Sequence, residues 1–173
     1  MNGQPALIVC MGVSGCGKTT IARAIAEPTG LVFLEADDYH SEQYRAHMAA
    51  GKPLTDEMRR PWIQTLCEAL NREKANDPGC VLACSALRRE HRDRFRQLDY
   101  RTLFLFLDGD RDLIAGWMQV RSDHFMPTSL LDSQFEALEP PEDEPDVRTV
   151  QLSSDWDKST DEAIKLSRKF ITG

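Results

Sequence analysis

One octapeptide restricts this chain more than any other feature: Gly12-Val13-Ser14-Gly15-Cys16-Gly17-Lys18-Thr19. It stands between an apolar run at 6–11 and a helix-forming stretch at 19–27. A strand that turns through glycines into a helix points successive backbone N–H groups inward, and the helix adds the unpaired N–H groups of its first turn. The result is a cradle for phosphate oxygens. The spacing GxxxxGK[ST] adds a lysine that reaches the β- and γ-phosphates of a nucleotide and a hydroxyl that ligates Mg²⁺. Gly12, Val13, Ser14, Gly15, Cys16, Gly17, Lys18, Thr19 and Thr20 are therefore the candidate residues for binding a nucleotide's phosphates with Mg²⁺. No NKxD-type guanine-reading motif accompanies them. Cys16 lies near a helix N-terminus, a setting that favours thiolate.

The rest of the chain alternates in the same way. Strands are expected at 6–11, 31–34, 81–84, 103–107 and 147–152. Helices are expected at 19–27, 38–50, 88–97, 111–121 and 158–170, with another that takes Pro61 as its first residue and continues through 62–75. In that last helix Trp62, Leu66, Ala69 and Leu70 share one face. Near-continuous apolar strands separated by helices imply a parallel sheet covered on both faces. The expected fold is a single α/β domain over 1–173, the three-layer P-loop NTPase fold. It has a five-stranded parallel sheet between helices. The segment 139–146, Glu-Pro-Pro-Glu-Asp-Glu-Pro-Asp, carries three prolines and reads as a solvated loop.

Composition removes several classes of function. The 173 residues carry a net charge of −7, which excludes a non-specific nucleic-acid binder. No apolar run approaches the length of a membrane span, and no basic segment precedes the first apolar stretch as in a signal peptide. Five cysteines at irregular spacing form neither a disulfide framework nor a zinc site, and point to a reducing, cytoplasmic location. The charge is uneven. Arg88 to Arg101 holds six arginines against three acids, whereas 139–146 holds five acids and no base.

On the acceptor side, Asp37 follows the second strand. A carboxylate at the C-terminal end of a parallel strand faces the ligand crevice. It can hold Mg²⁺ through water or take a proton from a hydroxyl, or it merely caps the next helix. Further segments follow in order: ADDYH at 36–40, GKPLTD at 51–56, RRPW at 59–62, CSAL at 84–87, HFM at 124–126, SQF at 133–135 and LEPP at 138–141.

With MGVSGCGKT at 11–19, these segments resemble the gluconokinases, small P-loop kinases of the shikimate-kinase-like type, from about Leu7 to about Leu152. The resemblance implies ATP-dependent phosphorylation of D-gluconate at its terminal hydroxyl, giving 6-phospho-D-gluconate. It also implies a homodimer, with no nucleic-acid or membrane partner. It makes Lys18, Asp37 and Arg121 the catalytic candidates, and implies a helical lid at about 121–143 from which Arg121 acts on the transferring phosphoryl charge. Thr19 and Asp37 become the metal-binding pair. Arg59 and Arg92, with Arg88 third, are candidates for the gluconate carboxylate, which suits a bidentate guanidinium. Asp37, His40, Ser85 and His124 complete the substrate set. The chain departs from the family pattern at Ser41 (usually Pro), Tyr44 (Asn), His47 (Lys), His91 (Tyr), Trp117 (Arg) and Asp123 (Gly). Those departures keep two alternatives open: a kinase of a related sugar acid, and a nucleotide-binding member without kinase activity.

Overall fold

The computed structural model describes residues 3–75, 79–121 and 129–173. Five strands form its sheet: β1 (Ala6–Met11), β2 (Val32–Glu35), β3 (Gly79–Ala83), β4 (Arg101–Asp108) and β5 (Val147–Gln151). The order is β2-β3-β1-β4-β5 and every pairing is parallel. At the centre, Ile8 pairs with Val81 on one side and with Leu103 on the other. Seven helices are described: α1 (Lys18–Thr29), α2 (Glu42–Ala49), α3 (Asp56–Glu73), α4 (Arg89–Arg96), α5 (Arg111–Val120), α6 (Ser129–Ala137) and α7 (Trp156–Thr172).

The pleat of β1 sorts the core into two halves. Ala6, Ile8 and Cys10 pack with Ile21 and Ile25 of α1, Ile114 of α5 and Ala163 of α7. Leu7, Val9 and Met11 pack with Trp62, Ile63, Leu66 and Leu70 of α3 and Phe95 of α4. All six β1 residues are buried, as a central strand covered on both faces requires. Each large apolar side chain so buried contributes about 1.5–3 kcal/mol. This is the expected three-layer architecture. Among the described residues no helix is long and apolar enough to cross a membrane.

Three expectations change. The predicted helix at 38–50 is two elements: a 3₁₀ turn, Ala36–Tyr39, and α2, which starts afresh because the Ser41 hydroxyl accepts from the Tyr44 N–H at 3.2 Å. Helix α3 starts at Asp56, not at Pro61, because the Thr55 side chain caps it (Met58 N–H, 3.2 Å) and Asp56 and Glu57 suit its first turn. Pro61 is therefore internal. The acid-rich segment 139–146 is not a solvated loop throughout: Pro141 and Glu144 are buried, the latter 7% exposed.

The parallel order places the C-terminal ends of β1, β2 and β3 side by side. The Cys84–Leu87 turn after β3 touches the loop after β1, with Gly12 N–H donating to the Ser85 carbonyl at 3.2 Å.

Candidate active site

The glycine loop enters α1 through Gly17, whose φ of +94° and close neighbour allow no side chain. A Cβ there would lie 2.1 Å from the Trp156 ring. Lys18 Nζ donates to the Val13 carbonyl at 2.9 Å, so the lysine is held against the loop it serves. The Thr19 hydroxyl donates to a Glu35 carboxylate oxygen, and the other oxygen of Glu35 accepts from the Asp37 N–H at 3.3 Å. A hollow of about 460 Å³ collects these groups, with Gly15, Gly17, Thr20 and Arg121 on its wall. Lys18, Thr19, Asp37 and Arg121 thus line one hollow.

A second hollow of about 580 Å³ adjoins the first and shares Ser14, Lys18, Glu35 and Asp37 with it. Its remaining polar wall is His40, Arg59, Ser85, Ser133 and Gln134, and Met48, Leu54, Trp62 and Leu130 supply apolar surface. Trp62 Nε1 donates to the Ala36 carbonyl at 2.8 Å, and the His40 ring stacks on the indole at 4.3 Å between centroids. Burial lowers the His40 pKa against the opposing pull of Asp37. Its buried Nδ1 has no partner among the described residues and is available to a ligand hydroxyl. Arg59 is 8% exposed; its Nη1 donates to Asp56 at 3.0 Å, and the residue lines the second hollow and not the first.

Two arginines proposed from sequence are not in this hollow. Arg88 pairs with Asp56 (3.5 Å) and Glu139 (3.7 Å) and lines a neighbouring groove. Arg92 is fully buried, and its donors are taken by Glu144 and by the carbonyls of Ala86, Leu87 and Glu139. It has no N–H left for a substrate carboxylate. His124 lies outside the described residues. Cys16 does not fit a thiolate: it is fully buried, and burial raises its pKa against the lowering pull of Lys18 and of backbone hydrogen bonds. Trp117, where the family pattern has arginine, packs edge-on against Trp156 at 5.5 Å.

Sequence reasoning missed Glu35, Ser133 and Gln134. The signal for Glu35 was its place two residues before Asp37 on the same strand end. Ser133 and Gln134 lie within one of the quoted segments. Among the described residues no three His, Cys, Asp or Glu side chains form a metal cage. A hydroxyl and one or two carboxylates facing a phosphate cradle are the donor set of Mg²⁺, which keeps waters and takes phosphate oxygens as further ligands.

Residues 7–141 match the AAA domain family. The thermosensitive gluconokinase of Escherichia coli (strain K12) is 42% identical over 149 residues, spanning 85% of this chain and 79% of that protein. Two solved structures align over nearly the whole chain. A sugar kinase from Janibacter gives a TM-score of 0.87 at 39% identity, covering 97% of this chain and 95% of that one. A gluconokinase from Sinorhizobium meliloti gives 0.81 at 35% identity, covering 99% and 94%.

Proposed function

Since the chain belongs to the gluconokinase family, with that family's AAA domain, we propose that it transfers the terminal phosphoryl group of ATP to the terminal hydroxyl of D-gluconate, giving ADP and 6-phospho-D-gluconate. The observation that carries this reading is the shared wall of the two hollows. Ser14, Lys18, Glu35 and Asp37 line both the phosphate cradle and the acceptor hollow, so the donor and acceptor groups meet there.

In the transfer, the gluconate hydroxyl oxygen forms a bond to the γ-phosphorus. The bond from that phosphorus to the β–γ bridging oxygen breaks, and ADP leaves with the electron pair. Asp37 takes the hydroxyl proton. Lys18, the loop N–H groups and Arg121 hold the charge on the transferring oxygens. Thr19 and Glu35, with Asp37, would hold Mg²⁺, which when bound neutralises charge on the β- and γ-phosphates. Arg59 takes the gluconate carboxylate through the N–H groups that Asp56 leaves free. His40, Ser85, Ser133 and Gln134 offer hydrogen bonds to a polyhydroxyl chain. The same reading places the protein in the cytoplasm as a homodimer without a nucleic-acid or membrane partner. Its described cysteines, all free and buried, suit a reducing compartment.

A related sugar acid as acceptor is a second reading, favoured by where two departures sit. Tyr44 packs with Met48, Leu54 and Leu130 behind the acceptor wall, and His47 Nε2 lies 3.2 Å from the carbonyl of Pro53, which lines the hollow. Turnover with MgATP across a panel of aldonic acids separates the readings: the highest kcat/KM falls on gluconate in the first. Lys18→Ala folds normally and loses most activity. ATP binding without turnover on any acid of the panel overturns both.

A further inference from the structure

We propose that Arg92 is a positioning residue that assembles the acceptor side of the site, by tying the turn behind Ser85 to the segment leading out of α6. Among the described residues Ala86 is the one non-glycine with positive φ, at +44°, and it is fully buried. A side chain bearing Cβ does not hold that conformation unaided. Arg92 Nη1 donates to both carbonyls that follow, Ala86 at 2.9 Å and Leu87 at 3.1 Å. Ser85, immediately before the strained residue, lines the acceptor hollow, and its carbonyl accepts from Gly12 of the phosphate loop at 3.2 Å.

The other edge of the same guanidinium holds the opposite wall. Nε donates to Glu144 at 3.0 Å, and Nη2 donates to Glu144 at 2.5 Å and to the Glu139 carbonyl at 3.0 Å. The Glu139 N–H donates to Leu87 at 2.9 Å, and one residue earlier the Leu138 N–H donates to Gln134 at 3.0 Å. Helix α6 brings Leu130, Ser133 and Gln134 to the hollow. One planar fork thus joins the Ser85 turn to the root of α6. Lysine, a point charge without the fork, cannot hold both edges at once. Glu144 is also paired with Arg96, so the carboxylate is not orphaned when the fork is lost.

The test rests on gluconate as the acceptor and uses the full chain as Arg92→Lys, Ala86→Gly, the double variant and Glu144→Gln. Steady-state KM for gluconate and for ATP, kcat and Tm are measured for each. Arg92→Lys raises gluconate KM about tenfold or more, the scale of a small misplacement of a binding group, while ATP KM is unchanged. Adding Ala86→Gly recovers most of that loss, because glycine holds positive φ without the clamp. Glu144→Gln weakens one edge of the fork and raises gluconate KM less than Arg92→Lys does, because the ties to Ala86 and Leu87 survive, and it leaves ATP KM unchanged. An unchanged gluconate KM in Arg92→Lys, or a loss that Ala86→Gly does not relieve, overturns the proposal. If Arg92→Lys yields no folded protein, Glu144→Gln decides: a raised gluconate KM with ATP KM unchanged supports the proposal and an unchanged gluconate KM overturns it. Failure of the unaltered enzyme to phosphorylate gluconate overturns the preceding reading instead.

Discussion

Replacing Arg59 with methionine tests how the enzyme recognises one end of its acceptor. The substitution keeps an unbranched side chain of similar reach and removes the charge. Arg59 is nearly buried, at 8% exposure, so solvent screens it little. One nitrogen is committed to Asp56 at 3.0 Å, and Arg59 lines the hollow. A hydrogen bond to a charged partner contributes about 1.5–3 kcal/mol. At 1.4 kcal/mol per factor of ten, gluconate KM rises roughly tenfold to a hundredfold. The fold suffers little, because Asp56 keeps Arg88 at 3.5 Å and its own side chain is 42% exposed; a pair of that kind contributes about 0–1 kcal/mol. Tm therefore falls by no more than about 2–4 °C. The assay is coupled ADP release with gluconate and, beside it, with a neutral hexitol that has no carboxylate. Arg59→Met loses the preference for gluconate and leaves turnover of the hexitol unchanged. An equal loss on both acceptors, or no loss on gluconate, refutes carboxylate recognition by Arg59.

Three further outcomes follow from the same site. Glu35→Gln preserves an acceptor for the Thr19 hydroxyl but removes a negative charge, so the Mg²⁺ concentration for half-maximal rate rises roughly tenfold to a hundredfold; a magnesium titration checks it. Burial, with the charges of Arg59, Arg88 and Arg92 adding and Asp56 opposing, pushes the His91 imidazole from its ordinary 6.5 down to about 4. Between those values the unfolded chain binds a proton that the native state refuses. The stability His91 contributes is therefore complete above pH 6.5 and is lost as pH falls toward 4, by up to about 3 kcal/mol. Urea midpoints at pH 7 and pH 4.5 separate less in His91→Phe than in the natural chain. Finally, native Cys16 reacts with a thiol reagent no faster than Cys10, both being fully buried with raised pKa; fast labelling at neutral pH, assigned by peptide mass, contradicts this.

The phosphate loop was fully legible because its eight residues are contiguous and each has a local reason for its identity. Asp37, His40, Arg59 and Ser85 converge although they span three segments, and what made them legible was their order along the chain after strand ends and in α3. Ser133 and Gln134 were missed because nothing local distinguishes a polar pair facing a hollow from one facing water; only the packing of α6 against Met48 and Leu54 turns them inward. Pro61 misled because proline at a first helical turn is common, while the real start at Thr55 was written in a cap and two acids. Arg92 was misread for a deeper reason: exposure is a tertiary property. The sequence of α4, RxxRxRFR in character, looks like a solvated basic helix, and its one hint was the i, i+4 pair His91 and Phe95, both buried with Arg92 between them in the core.

The charges of that helix and of 139–146 are one feature seen twice. A buried arginine or glutamate alone costs several kcal/mol of lost hydration, so neither segment could fold inward by itself. Together they can: Arg92 meets Glu144, and Arg96 meets Asp146 at 2.8 Å and Asp93 at 2.7 Å. The three prolines of 139–146, which argued against regular structure, serve this pairing because a stiff segment loses less entropy when it is pinned. Opposite charge blocks some fifty residues apart, one rigidified by proline and the other carrying a buried phenylalanine, are therefore a signal of contact rather than of two solvated faces. That contact also fixes the Ser85 turn and the root of α6 from behind. Recognition of the acceptor thus depends on an ion-pair network that never touches it, and weakening the network should act on the acceptor before it acts on the nucleotide.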